Sequence, residues 1–308
     1  MGGGGVMERT DATAHGPLEI LRLEEVDSTQ DEAARCATDG QPVPFALTAR
    51  HQRGGRGRLG RSFESPDGVG LALTYVHRSR LTPDRRGWFS LAAGVAALTA
   101  LDQVLGEAGA EQHRIGLKWP NDLHTEDGRK LGGILVEGRG PDLVLLGIGM
   151  NLRGPVLQAD GRAVPGAAWL CGVDGVAAGH GEESGRMLRE RLEQALTAAL
   201  WTELDRLESA EGDGVSAGTH GRYTMTCLTL GRAVRVDPLG ETGTGGTHPP
   251  SLHGIAQAID AQGRLMVDLA GGGRTAVDIG DVRHLRPDGP ARPTTHDAMG
   301  IEQEEHGT

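Results

Sequence analysis

Lysine is almost missing from this chain. It occurs at two of 308 positions, Lys118 and Lys130, so arginine supplies the other 29 of 31 basic side chains. Cysteine is scarce as well. Cys36, Cys171 and Cys227 are odd in number, far apart and in no CxxC pair, which excludes a disulfide frame or a thiolate zinc site and points to a reducing cytoplasm. No apolar run is expected to cross a bilayer, and the opening MGGGGVMERTDATAHG lacks the basic-then-apolar order of an export signal. A soluble cytoplasmic protein without a membrane partner is therefore expected. Net positive charge is lacking too: at −11 the chain is no general polyanion binder, because a phosphate backbone calls for a basic face. Any work done by its cations is local.

What is present is enough for one large domain and a small one. Residues 1–16 and 288–308 are polar and Gly/Pro/His-rich or acidic, and are expected to be a disordered leader and tail. LEILRLEEV predicts a first strand, and DSTQDEAARCATDG a helix with Ser28 or Thr29 as N-cap and Gly40 as its stop. PFALTAR and VGLALTYVH predict strands, residues 85–106 an apolar helix, and IGLKW, LGGILVEG and DLVLLGIGMNL three more strands. Residues 183–209 return to helical spacing, with Leu188, Leu192, Leu196, Leu200, Leu204 and Leu207 three or four apart. Beyond EGDGVSAGTH the texture changes. TMTCLTLG, RAVRVD, LHGIAQAID, GRLMVDLA and RTAVDIG predict five short strands of a small antiparallel barrel, with a boundary near residue 220.

Four stretches carry chemistry. In ARHQRGGRGRLGRSFESPDGVG, five arginines from Arg50 to Arg61 alternate with glycines that let backbone approach a ligand, while each guanidinium offers forked donors to an anion. GRGRLG also fits the dinucleotide fingerprint GxGxxG, but a turn and a strand follow it where that fingerprint needs a helix. In LKWPNDL, Pro120 halts a strand and Trp119 packs, fixing Lys118, Asn121 and Asp122 at its end. An adjacent amide and carboxylate suit a magnesium ion that shares substrate phosphates. GRKLGGILVEG puts Lys130 at the mouth of a strand, with Gly132 and Gly133 allowing close approach; no GxxxxGK[ST] loop occurs. GIGMNL ends on Asn151, whose amide reads an adenine edge or caps a turn. Both lysines fall in this region, where a compact ammonium on a flexible stem can follow an oxygen that a guanidinium cannot.

In this order the stretches VDST, QRGGRGRLGR, KWPND, GRKLGGILVE and GIGMNL, with LGRAVRV to GDVRHLR behind them, resemble the biotin–protein ligase family over residues 18–287. The resemblance implies an α+β fold. A mixed β-sheet with helices, akin to class II aminoacyl-tRNA synthetases, would span residues 17–220, and a Src-homology-3-like β-barrel residues 221–287. It implies ATP-dependent attachment of biotin, through biotinyl-5′-adenylate, to a lysine of the biotin carboxyl carrier domain of acyl-CoA carboxylases. Biotin, ATP and magnesium are the small molecules involved, DNA is no partner, and a homodimer is left open. It places biotin against Ser28, Thr29, Gln52, Arg56, Gly57, Arg58, Lys130, Gly132 and Gly133. ATP is assigned to Arg56, Arg58, Arg61, Phe63, Lys118, Asn121, Lys130 and Asn151, and magnesium to Asp122 and Asn121. Lys130, Arg56, Arg58, Lys118 and Asp122 are the expected catalytic groups. Two departures stand out: Gln30 replaces the usual asparagine, so no biotin contact is carried onto it, and Phe63 replaces the usual tryptophan. Lipoate–protein ligase and a non-enzymatic nucleotide- or RNA-binding module are the rival readings.

Overall fold

The computed structural model describes residues 18–57, 69–106, 115–158, 160–177, 184–238, 251–278 and 280–284. The expected leader and tail, with Arg58, Arg61 and Phe63, lie outside them. Strand β1 (Ile20–Val26) pairs in parallel with β2 (Phe45–Gln52), and every other neighbouring pair in the main sheet is antiparallel. The remaining strands are β3 (Gly70–Arg78), β4 (Ile115–Lys118), β5 (Asp122–Thr125), β6 (Lys130–Arg139) and β7 (Leu143–Asn151). Their order across the sheet is β1-β2-β3-β7-β6-β5-β4. The β1–β2 crossover is helix α1 (Thr29–Thr38), capped by the Ser28 side chain on the Asp31 amide and followed by Gly40 at φ 99°.

One face of the sheet carries the main core. Helix α2 (Phe89–Gly106) and helix α3 (Ser184–Ser209) pack on each other and on Leu71, Leu73, Tyr75, Leu146 and Ile148. All six α3 leucines named above are at most 3% exposed, as their spacing requires. α2 is apolar apart from an exposed stripe of Thr99, Asp102 and Gln103 and, at 18 residues, is long enough by composition to cross a membrane, where the sequence led us to expect no such run. Its apolar side chains are spent inside this fold instead, between the sheet and α3. The opposite face is covered at one end by α1, where Ala33 packs on Phe45, Leu47, Val76 and Leu145.

A second, five-stranded antiparallel sheet follows: β8 (Ala233–Pro238), β9 (Leu252–Ile259), β10 (Leu265–Leu269), β11 (Arg274–Val277) and β12 (Gly280–His284), in the order β11-β10-β9-β8-β12. The count of five matches expectation but the membership differs. TMTCLTLG opens no strand; helix α4 (Thr219–Thr226) runs into it, across the expected boundary at 220. Thr219, Tyr223 and Cys227 are buried at intervals of four, and this helical burial outweighs the strand preference of the threonines. The fifth strand is GDVRH instead. DLHT, also unforeseen, is β5, so LKWPNDL is a hairpin and not a strand end.

Candidate active site

Strand register assembles the site. Residues directly opposite in an antiparallel sheet share a face. One such line crosses six strands: Lys118 opposite Asp122, then Gly133, Gly149, Ala72 and Ala49. Charge stands at one end and almost no side chain at the middle. The next line, Leu135, Gly147, Thr74 and Leu47, receives the first turn of α1. There the Thr74 hydroxyl donates to Thr29 Oγ1 at 3.0 Å, and Gln30 Nε2 donates to the Leu135 carbonyl at 2.9 Å. At the far edge of the same face, Thr226 and Leu228 close on Gly116. Between them the half-buried Gly133 and Gly149 form the floor of a trough.

The KWPND hairpin is held from three sides. Buried Trp119 donates its indole N–H to Gly263 O and its backbone N–H to Thr229 Oγ1, each at 3.0 Å. Asn121 and Ile134 exchange two bonds of 2.8 Å, the Asn121 amide donating to Ile134 O and the Ile134 N–H to Asn121 O. So fixed, Asp122 Oδ1 accepts from Lys130 Nζ at 2.7 Å, and a Cβ on Gly133 would stand 3.5 Å from both atoms. Burial works to raise the Asp122 carboxyl, but neighbouring His124 and the Lys130 ammonium outweigh it and hold the group at about 2. His124 Nε2 lies 3.7 Å from Asp122 Oδ2, beyond hydrogen-bond range, so we credit the Lys130 pair with the larger part.

The glycine–arginine strap leaves β2 at the other side of the trough. Gln52 Oε1 accepts from both Thr29 N and Thr29 Oγ1, at 2.8 and 2.9 Å, which brings Thr29 and Gln52, two expected contact residues, together beside the third, Ser28, at the cap of α1. Gly54 N–H returns to Asp27 O at 2.7 Å. Arg56 then makes a two-pronged contact with Asp31, at 2.6 and 2.7 Å, and lies 3.5 Å from Glu137. Arg139 touches the same two carboxylates, at 3.4 and 2.8 Å. Arg56 thus sits on α1, not on the Lys130–Asp122 pair. Gly57 continues the strap at half exposure, and Arg58, Arg61 and Phe63 fall outside the described residues. The Asn151 amide donates to Ala168 O at 2.9 Å and reaches Lys130 O at 3.5 Å, so its N–H secures backbone beside Lys130.

Several partners were not foreseen. Asp31 and Arg139 lie just beyond the VDST and GRKLGGILVEG motifs and Glu137 near the end of the latter, none with an expected role, and the packing of α1 on the sheet brings them to Arg56. Thr74 was visible in principle, as a polar residue in the apolar alternation LALTYVH. Thr229 and His284 link the second sheet to the site: His284 Nε2 lies 3.2 Å from the Thr229 hydroxyl that accepts from Trp119. Burial first, then Lys118, Arg232 and His124, depress His284 to about 4. An unfolded His takes its proton near 6.5, so between pH 6.5 and about 4 the unfolded chain binds more protons than the folded one. Stability is expected to fall as pH drops through this window and to flatten below it. Thermal unfolding of wild type and His284→Asn from pH 7 to 4 checks this, the variant showing the shallower slope.

Residues 23–151 match the biotin/lipoate A/B protein ligase family. The biotin–[acetyl-CoA-carboxylase] ligase of Mycobacterium tuberculosis is 36% identical over 259 residues, covering 83% of this chain and 85% of its own. That of Paracoccus denitrificans is 34% identical over 251 residues, covering 80% and 92%. In fold, the chain is similar to the Aquifex aeolicus biotin protein ligase solved with biotin and ATP: TM-score 0.62, 22% identity, 87% of this chain and 99% of that one. The family match and these relatives make the protein a ligase. This chain belongs to the biotin–protein ligases of that family.

Proposed function

We propose that this enzyme joins biotin to ATP and passes the biotinyl group to a carrier lysine of an acyl-CoA carboxylase. The observation that carries the reading is the register line Lys118–Asp122–Gly133 with Lys130 beside it, in a chain that has no other lysine. In the first step a biotin carboxylate oxygen attacks the α-phosphorus of ATP, and the bond to the leaving pyrophosphate breaks. Both reactants are anions, so the protein's task is to hold them together and cancel charge. Lys130 is placed to exchange Asp122 for the incoming carboxylate or α-phosphate oxygen, and Lys118 to meet the phosphates. Arg56 would leave Asp31 for the ligand, with Arg58 beside it on the strap. Ser28, Thr29 and Gln52 take the biotin head, with Gly133 beneath it, while Gly132, also expected there, faces the core against Leu123 and Met150. Arg61, Phe63 and Asn151 are assigned to the nucleotide. In the second step the neutral amine of the carrier lysine attacks the acyl carbon, AMP departs with the pair of the broken acyl–oxygen bond, and the nitrogen releases one proton to solvent.

Magnesium fits this site as a guest of the substrate. Among the described residues no three His, Cys, Asp or Glu side chains converge on a metal position. Asp122, charged at any pH above about 2, would hold the ion while triphosphate oxygens supply most other ligands. When bound, it would neutralise phosphate charge. Asn121 serves more directly by locking the hairpin to β6 through Ile134.

The relatives matched over 80% or more of the chain are named for biotin, which favours biotin over lipoate. On the same resemblance we read the main unit (residues 17–220) as class II synthetase-like, and residues 221–287 as a Src-homology-3-like barrel. Incubating an apo carrier domain with enzyme, biotin and ATP should add one biotinyl group by mass spectrometry, and none once the acceptor lysine is changed to arginine. Lipoate taken up as readily as biotin would contradict the reading.

A further inference from the structure

Arg139 has no role in this scheme, yet it touches the two carboxylates that hold Arg56. Gly133, Leu135, Glu137 and Arg139 alternate along one face of β6, the face on which the first turn of α1 lies. Six residues at about 3.4 Å each carry Arg139 roughly 20 Å from Gly133, too far to meet the reacting oxygens itself. What it does meet is specific. Arg56 Nη2 and Arg139 Nη2 reach the same two oxygens with opposite preference. Arg56 Nη2 lies 2.7 Å from Asp31 Oδ1 and 3.5 Å from Glu137 Oε2. Arg139 Nη2 lies 3.4 Å from Asp31 Oδ1 and 2.8 Å from Glu137 Oε2. Arg56 Nη1 completes a fork on Asp31 Oδ2 at 2.6 Å. Arg56 above all, and Arg139 after it, hold the Asp31 carboxyl below its usual range against partial burial. Two cations thus face two carboxylates, and the charges balance only while both arginines stay.

We infer that Arg139 is a positioning residue for Arg56: it takes over Asp31 and Glu137 as their counter-ion when Arg56 turns to the substrate anion. The inference rests on the reading of Arg56 as a substrate-binding group. Closing Arg139 Nη2 on Asp31 Oδ1 from 3.4 Å to the 2.7 Å that Arg56 Nη2 has there is a small movement. Without Arg139, a departing Arg56 would leave two carboxylates uncompensated, and Asp31 stands only two residues from Thr29 on the vitamin side of the trough. Arg56 would then be held back, and the charge left behind would repel the incoming anion. The two guanidinium groups also repel each other, which already loosens the Arg56 fork. All four side chains are partly exposed, so the effect is a few-fold in rate and not orders of magnitude.

The test is a mutant cycle on the full chain, read as kcat/KM for biotin in ATP–pyrophosphate exchange at saturating ATP. Arg139→Gln should lower it about 3- to 5-fold, with Tm within about 2 °C of wild type. Arg139→Lys, which keeps the charge, should return to within about twofold of wild type. In an Asp31→Asn background the fork on Arg56 is gone, so adding Arg139→Gln should change the rate by less than about 1.5-fold. Salt at about 1 M, where the Debye length is about 3 Å, should erase most of the gap between wild type and Arg139→Gln. A mere folding defect would show neither behaviour. A wild-type rate in Arg139→Gln, or an equal loss with and without Asp31, overturns the role of Arg139 while biotin-dependent exchange by wild type leaves the enzyme's function standing. Wild type without biotin-dependent exchange sinks both.

Discussion

Lys130→Arg should lower biotin-dependent ATP–pyrophosphate exchange by about 100- to 1,000-fold, although charge is conserved. Lys130 Nζ reaches Asp122 Oδ1 at 2.7 Å beside Gly133, in a space where a Cβ would already be in van der Waals contact at 3.5 Å. A planar guanidinium is wider than an ammonium and binds carboxylates in a fork. It would settle on Asp122 with two bonds and stay there, instead of trading that carboxylate for a substrate oxygen. The loss should therefore appear mainly in turnover, while nucleotide binding changes little. Lys130→Met leaves Asp122 buried without its cation and should be at least as inactive. Near-normal exchange by the arginine variant would show that Lys130 is not the group neutralising the reacting oxygens.

Two adjacent glycines should behave oppositely. A Cβ on Gly132 would stand 2.4 Å from the Gly149 carbonyl oxygen, a backbone atom that cannot turn aside. Gly132→Ala must push β6 from β7 and should cost about 3 kcal/mol, at the upper end for overpacking, or roughly 6–12 °C in Tm. At Gly133 the nearest atoms are Asp122 Oδ1 and Lys130 Nζ at 3.5 Å, an ordinary contact. Gly133→Ala should fold with its Tm nearly unchanged, yet lose about 10- to 100-fold in exchange rate, because the methyl occupies the floor where substrate oxygens approach. Differential scanning calorimetry and the exchange assay, run on both variants, separate the two effects. A Gly133→Ala enzyme of full activity would mean the reacting groups lie elsewhere.

The chemistry of this chain was legible where composition made residues conspicuous. Two lysines among 29 arginines, and glycines alternating with arginines, are visible without coordinates. So were the α3 leucines, because a helix that buries one stripe repeats at three and four. What stayed hidden depends on register and on distance in space. Asp31, Glu137 and Arg139 meet Arg56 only because α1 lies across β7 and β6. Asp122 faces Gly133 only because DLHT forms a strand, and four residues after a Pro-Asn turn give too short a pattern to read. α4 was misread because threonine favours strands locally, while Tyr223 and Cys227 are buried in the main core and Thr219 is buried against Glu203 of α3. Gln30 was set aside as a departure from its family, and its reach to Leu135 is apparent only in three dimensions.

Exchange of labelled pyrophosphate into ATP, with and without biotin, reports on the carboxylate–phosphate encounter before any carrier protein is needed. The enzyme described here should incorporate label only when biotin is present, and the Lys130→Arg variant should scarcely do so. Exchange independent of biotin, or undiminished in that variant, would contradict the account.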